Sequence, residues 1–151
     1  MASHKHQPPK PFAERARARK RALQAIYQWQ INRLPASTIV AQFEEEQDMA
    51  IADREYFRAL VEGVVRNAET LDQHLAGVID RALEHVDAIE RAVLRLAAYE
   101  LLHRPDVPYK VVINEAVELA RDFGAQGGHS YVNGVVDKLA HQLRAAEVAA
   151  G

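Results

Sequence analysis

The sequence predicts an all-α fold of about seven helices forming two packed helical bundles. Three observations carry this. Apolar residues recur at three-and-four spacing along most of the chain, no stretch alternates with the period of two that a strand needs, and the breaks fall at Pro, Gly and capping residues. The first helix is expected from about Phe12 to Asn32, with Ala22, Leu23, Ile26 and Trp29 on one side, and it stops before Pro35. Ser37 or Thr38 then caps a second helix through Ile39, Val40 and Phe43, which runs into the solvated Glu44-Glu45-Glu46 face. Asp53 caps a third with Tyr56, Phe57, Leu60, Val61, Val64 and Val65 on its apolar side. Asn67 or Thr70 marks the turn into a fourth carrying Leu71, Leu75, Val78, Ile79 and Leu83.

Asp87-Ala88-Ile89-Glu90 has the pattern of a capping box, an N-cap acceptor with an acidic residue three positions on. It opens a strongly apolar helix through Val93, Leu94, Leu96, Ala97, Leu101 and Leu102, and starts a second half of the molecule. Pro105-Asp106-Val107-Pro108 ends that helix, and Pro108 suits the first turn of the next, which Gly124 closes. His129 or Ser130 starts a last helix with Val132, Val135, Val136, Leu139 and Leu143. The expected organisation is a flexible basic leader over 1–11, an N-terminal bundle over 12–84 that includes an arginine-rich arm, and a C-terminal bundle over 85–148.

Composition narrows the function. A chain of 151 residues, 48% hydrophobic, suffices for one domain or two small, closely packed ones. Without cysteine it can form no disulfide scaffold, thiolate metal site or cysteine nucleophile, which fits a reducing cytosol. There is neither an apolar run approaching 18 residues nor a secretory h-region, so a soluble cytoplasmic protein with no membrane contact is expected. His85, His103, His129 and His141 fall on different elements, and no metalloprotease-type histidine pair occurs. Glu115 and Glu118 share a helix face as ordinary exposed charge, while Gly124, Gly127 and Gly128 neither follow a strand nor carry a P-loop lysine. These patterns point to no enzyme, no metal and no cofactor.

The charge is concentrated. Residues 1–33 hold eight Lys or Arg against Glu14 alone, a formal +7; the whole chain is −2, so the remainder carries −9. A basic arm on an acidic body implies a localised polyanion contact. At about 100° per residue, Arg15 and Arg19 project with Leu23, Ile26 and Trp29, whereas Arg17 and Arg21 project oppositely. Because guanidinium groups are almost never fully buried unpaired, these turns are expected to protrude, or to stay unfolded until an anion orders them.

Several blocks carry a family resemblance. They are Arg17-Ala18-Arg19, then Ala25-Ile26-Tyr27-Gln28-Trp29-Gln30, Tyr56-Phe57, the stretch from Arg91 to Leu101, the stretch from Asp106 to Ala120, and the run from Tyr131 to Lys138. In this order and spacing they resemble the NusB family of bacterial transcription antitermination factors, over about Arg15 to Leu143. The resemblance implies two helical bundles that, with the partner NusE (a small-subunit ribosomal protein), bind the boxA RNA of ribosomal RNA transcripts. RNA polymerase is then modified against premature termination.

Single-stranded RNA is bound by cations on phosphates and by aromatic rings on unstacked bases. The candidate RNA-binding residues are Arg15, Arg17, Arg19, Arg21, Tyr27, Lys110, Asn114, Tyr131, Asn133 and Lys138. Tyr27 reads either as an RNA-facing ring, as its counterpart is in the family, or as an interfacial core tyrosine. Tyr131 and Asn133 flank the start of the last helix, where free N–H groups favour phosphate, and the family places an aromatic at position 131 against RNA. Asn133 and Gly134 read alternatively as packing residues, with Gly134 allowing close helix approach, and Lys110, Asn114 and Lys138 are similarly divided. The sequence departs from the family at Gly127, where an acidic or polar residue is common and linked to RNA affinity. Arg81, Glu84 and Glu90 are outward by pattern and are the candidate NusE contacts, against ordinary solvated charge. Two other functions stay open: a homodimer that masks the arginine arm, and an accessory RNA-binding domain of an rRNA methyltransferase. The latter is disfavoured because no cofactor-binding region follows before Gly151.

Overall fold

The computed structural model describes residues 10–46, 49, 50 and 52–151, so most of the expected leader lies outside the described residues. Within them the chain forms α1 (Lys10–Asn32), α2 (Ala36–Glu46), α3 (Arg54–Ala76), a 3-10 turn at Leu83–His85, α4 (Ala88–His103), α5 (Tyr109–Phe123), α6 (Gly128–Leu143) and the short α7 (Ala145–Ala150). No described residue is in a strand.

Helix α4 organises the packing. It is buried nearly all round, through Ala92, Val93, Leu94, Leu96, Ala97, Ala98 and Leu101, as expected of a helix enclosed by others rather than laid on a surface. Helices α1 and α3 pack on it from the N-terminal half, and α5 and α6 from the C-terminal half. Buried side chains from both halves join one continuous core, with Leu23, Ile26, Phe57, Leu60, Leu94, Leu96 and Leu139 almost wholly enclosed.

The ends follow local chemistry, with three departures from the sequence expectation. Helix α1 stops where Arg33 takes the left-handed conformation, φ 56°, its amide donating to the Trp29 carbonyl and its guanidinium 4.2 Å from the Trp29 ring centroid. Helix α2 starts at the carbonyl of Pro35, which accepts from the amides of Thr38 and Ile39. Ser37 and Thr38 therefore lie inside its first turn and do not cap it. At α3 the Asp53 carboxylate accepts from the Tyr56 amide at 2.9 Å, as expected.

The second departure is the length of α3. It passes Asn67 and Thr70 without a break, because the Asn67 side chain donates back to the Gly63 carbonyl at 2.8 Å and the apolar face continues into Leu71 and Leu75. The expected fourth helix is thus the last turns of α3 plus a connection holding Val78, Ile79 and the 3-10 turn. The third departure is α6, which begins at Gly128, one residue before His129. Its N-cap, Gly127, sits at φ 82°, a conformation glycine adopts freely and a residue with a Cβ resists.

Candidate nucleic-acid interface

The arginine-rich segment is helical from Lys10 onward, and its two sides have different surroundings. The facing read from the sequence holds, but the expected protrusion of Arg19 is overturned. Arg19 is 2% exposed, and its guanidinium meets both oxygens of Glu100 at 3.0–3.1 Å through Nε and again at 2.9 Å through Nη2. Glu100, on α4, is itself 1% exposed. Nη1 of Arg19 reaches Glu115 of α5 at 3.4 Å, and the Tyr56 hydroxyl of α3 donates to Glu100. A buried guanidinium is tolerable here because carboxylates meet it. Burial works to lower the Arg19 pKa, but the charge and hydrogen bonds of Glu100 outweigh it and the net shift is upward. The same burial raises the pKa of Tyr56, reinforced by Glu100, and raises that of Glu115, where Arg19 pulls it partly back.

Arg15 forms the margin of this network. Half-buried, it lies 4.3 Å from the Tyr56 ring centroid and 3.1 Å from Asp106. Arg104 stacks on the same ring at 4.8 Å and binds Asp106 at 3.0 Å. Hydrogen bonds from Arg104, then Arg15, hold the Asp106 carboxyl far below the usual carboxylate range. Arg15 and Arg19 also line a pocket with Phe12, Pro108 and Val111.

The other side of α1 is nearer the surface. Arg17, Lys20, Gln24, Tyr27 and Ile31 follow one another at three-and-four spacing, with Arg17, Lys20 and Ile31 exposed and Gln24 and Tyr27 half-buried. Arg21 flanks this stripe and donates to Gln24 at 3.4 Å. From Arg17 to Tyr27 the stripe covers about 15 Å of helix axis. It is a row of cations ending at an aromatic ring and an exposed isoleucine, the pairing of phosphate and base contacts that single strands take. Lys20 belongs to it as well, although it is not among the candidates drawn from the sequence. Its spacing from Arg17 and Tyr27 was the available signal.

On α6 the Tyr131 ring is half-buried, with the Arg81 guanidinium 4.6 Å from its centroid. Its hydroxyl is enclosed without a hydrogen-bond partner among the described residues, and burial raises its pKa. Tyr131, Ser130, Gly134 and Lys138 line one shallow pocket together with Asp80, so Tyr131 and Lys138 are brought together. Asn133 is exposed beside it. Gly134 is exposed as well, and a Cβ there would meet nothing within 4 Å, so the alternative reading of Gly134 as a glycine allowing close helix approach does not hold. Lys110 and Asn114 are exposed one turn apart on α5 and do not line that pocket.

Of the expected partner contacts, Arg81 and Glu84 are exposed in the connection between α3 and α4, where Arg81 pairs with Asp80 at 2.9 Å. Glu90 is not outward. It is 7% exposed, and its carboxylate accepts from the Ala125 amide at 3.2 Å instead of completing a capping box. Only the Asp87 half of that box forms, accepting from the amides of Ile89 and Glu90. Among the described residues no cluster of three His, Cys, Asp or Glu is arranged to hold a metal, and no helix is long and apolar enough to cross a membrane.

Comparison with known proteins gives a consistent result. Residues 16–141 match the model of the NusB family. The transcription antitermination protein NusB of Xanthomonas axonopodis pv. citri (strain 306) is 59% identical over 133 residues, covering 88% of this chain and 84% of that protein. Its counterpart from Xanthomonas euvesicatoria pv. vesicatoria (strain 85-10) is also 59% identical, covering 88% and 82%. The solved structure of T. maritima NusB superposes with a TM-score of 0.73 at 29% identity, covering 89% of this chain and 92% of that one. A helical core arranged around α4, an arginine-bearing first helix and these matches agree, and the chain belongs to the NusB family.

Proposed function

We propose that this protein is a cytoplasmic transcription antitermination factor that, together with NusE, binds boxA RNA of ribosomal RNA transcripts and acts on RNA polymerase. The observation that carries the proposal is the outer stripe of α1, where Arg17, Lys20 and Tyr27 stand in a row on one helix. In this reading Arg17, Lys20 and Arg21 neutralise phosphates, while Tyr27 and Tyr131 offer ring faces to bases. Asn133 and Lys138 extend the surface on α6, and Lys110 with Asn114 on α5. Arg15 contributes to the degree that phosphate displaces Asp106. Arg19 contributes indirectly, because its guanidinium is already taken by two carboxylates. The exposed Arg81 and Glu84 select NusE, adding specificity more than affinity.

The test is fluorescence anisotropy of a labelled boxA RNA titrated with the protein, alone and with NusE. Saturable binding that strengthens with NusE and exceeds that of a scrambled RNA supports the proposal. Equal weak binding of both RNAs, with or without NusE, refutes it. Light scattering of the free protein shows whether a homodimer precedes binding.

A further inference from the structure

We propose that Glu90 is a positioning residue for α6: from the first turn of α4 it holds the loop 124–128 and the start of α6, and thereby sets where Tyr131 stands. The RNA arm of this proposal rests on the function proposed above. The side chain reaches across from one helix to another. Its Oε2 accepts from the Ala125 amide at 3.2 Å, and the carboxylate lies so close to Gly128 that a Cβ built there would come within 2.0 Å of Oε2. A Cβ on Gly124 would come within 3.2 Å of the same oxygen. Glycines on both sides of the loop therefore leave room for one buried carboxylate, and Gly127 between them makes the left-handed turn that starts α6.

Tyr131 follows Gly128 by three residues, one helical turn, so a shift of Gly128 carries the ring with it. Arg81 ties the two further, since it stacks on Tyr131 and its charge also acts on Glu90. Burial raises the Glu90 carboxyl pKa, as does the nearby Asp87, while the Ala125 amide lowers it. A buried carboxylate kept at a cost in solvation, against a loop of glycines, is explained by what it orders.

The charge of Glu90 gives the test its discrimination. Removing a carboxylate near a polyanion site strengthens binding by electrostatics alone. A positioning role predicts the opposite for Glu90→Ala and little change for Glu90→Gln, which keeps an acceptor oxygen in place. Anisotropy with boxA RNA and with NusE, and hydrogen exchange of the Ala125 amide, are measured for both variants and for Gly128→Ala, each checked by thermal melt. Glu90→Ala is expected to speed Ala125 exchange and weaken RNA binding about tenfold, with NusE binding within twofold of wild type. Gly128→Ala, which collides with Glu90, is expected to weaken RNA binding in the wild-type background but not further in Glu90→Ala. Unchanged or tighter RNA binding by Glu90→Ala overturns the proposal. So does a loss of NusE binding as large as the loss of RNA binding. Should the wild-type protein bind no RNA, the proposed function fails separately, and unchanged Ala125 exchange in Glu90→Ala would still overturn the positioning role.

Discussion

The inner and outer sides of α1 carry the same residue type to different ends. Arg19 faces inward and is enclosed with Glu100, Glu115 and Tyr56; Arg17 faces outward, in line with Lys20 and Tyr27. Two residues apart on a helix means about 200° of rotation, so the positions cannot share surroundings. What separates them is burial, since α4 and α5 bring carboxylates that enclose Arg19 while the Arg17 side chain stays at the surface. An arginine that points inward in a basic segment is therefore held by the carboxylates that packing brings to it, and one that points outward keeps its side chain at the surface.

The sharpest way to break this contrast is at Arg19. Arg19→Ala strands Glu100 in the core, and breaking a buried pair this way costs about 3–5 kcal/mol. Chemical denaturation is expected to show that loss, with the salt dependence of RNA binding kept once the protein is folded. A flattened salt slope at unchanged stability would move Arg19 to the outer, RNA-facing class.

The next largest effect belongs to the outer row. Replacing Arg17, Lys20 and Arg21 by Gln removes about three phosphate contacts, each worth about −0.7 in the slope of log affinity against log salt. The slope is expected to become about 2 less steep, so that affinities converging near ~1 M salt differ by roughly a hundredfold at ~0.1 M, the variant being weaker. The melting temperature should move far less than for Arg19→Ala, and a slope that does not change would remove the row from the RNA surface. Tyr27→Ala is expected to cost about 1–3 kcal/mol of RNA affinity while leaving the slope nearly intact. Its half-buried ring makes a parallel melt necessary, and an affinity loss no larger than the loss of folded protein would return Tyr27 to the core.

The smallest effect concerns pH at the inner network. The folded-state pKa of Glu115 is raised, so ionisation works against the fold, and this penalty appears as pH rises from the unfolded value through the folded one. Glu115→Gln, neutral throughout, is expected to melt slightly above wild type at pH 7 and to converge with it toward pH 4. Asp106 has the opposite sign. Its pKa is depressed by Arg104 and Arg15, so its contribution is present above the ordinary carboxylate range and is lost as pH falls below it. A melting difference for Glu115→Gln that grows toward low pH would contradict the assignment.

The all-helical class, the Asp53 cap, the end of α1 before Pro35, the close of α5 at Gly124, and which arginines share a side with Leu23 and Ile26 are all legible in the order of residues. These depend on periodicity and on groups within a few residues, where a side chain can reach its own backbone. Helix packing is what buries Arg19, since Glu100 lies 81 positions along the chain, and what turns Glu90 from its own helix end to an amide 35 positions away. Packing likewise carries α3 through Asn67, because the buried face of the following turns outweighs the residue's preference for a turn. Spacing tells which way a side chain points. Whether a charge pointing inward is tolerated depends on the counter-charge waiting there, which is set by how the helices pack.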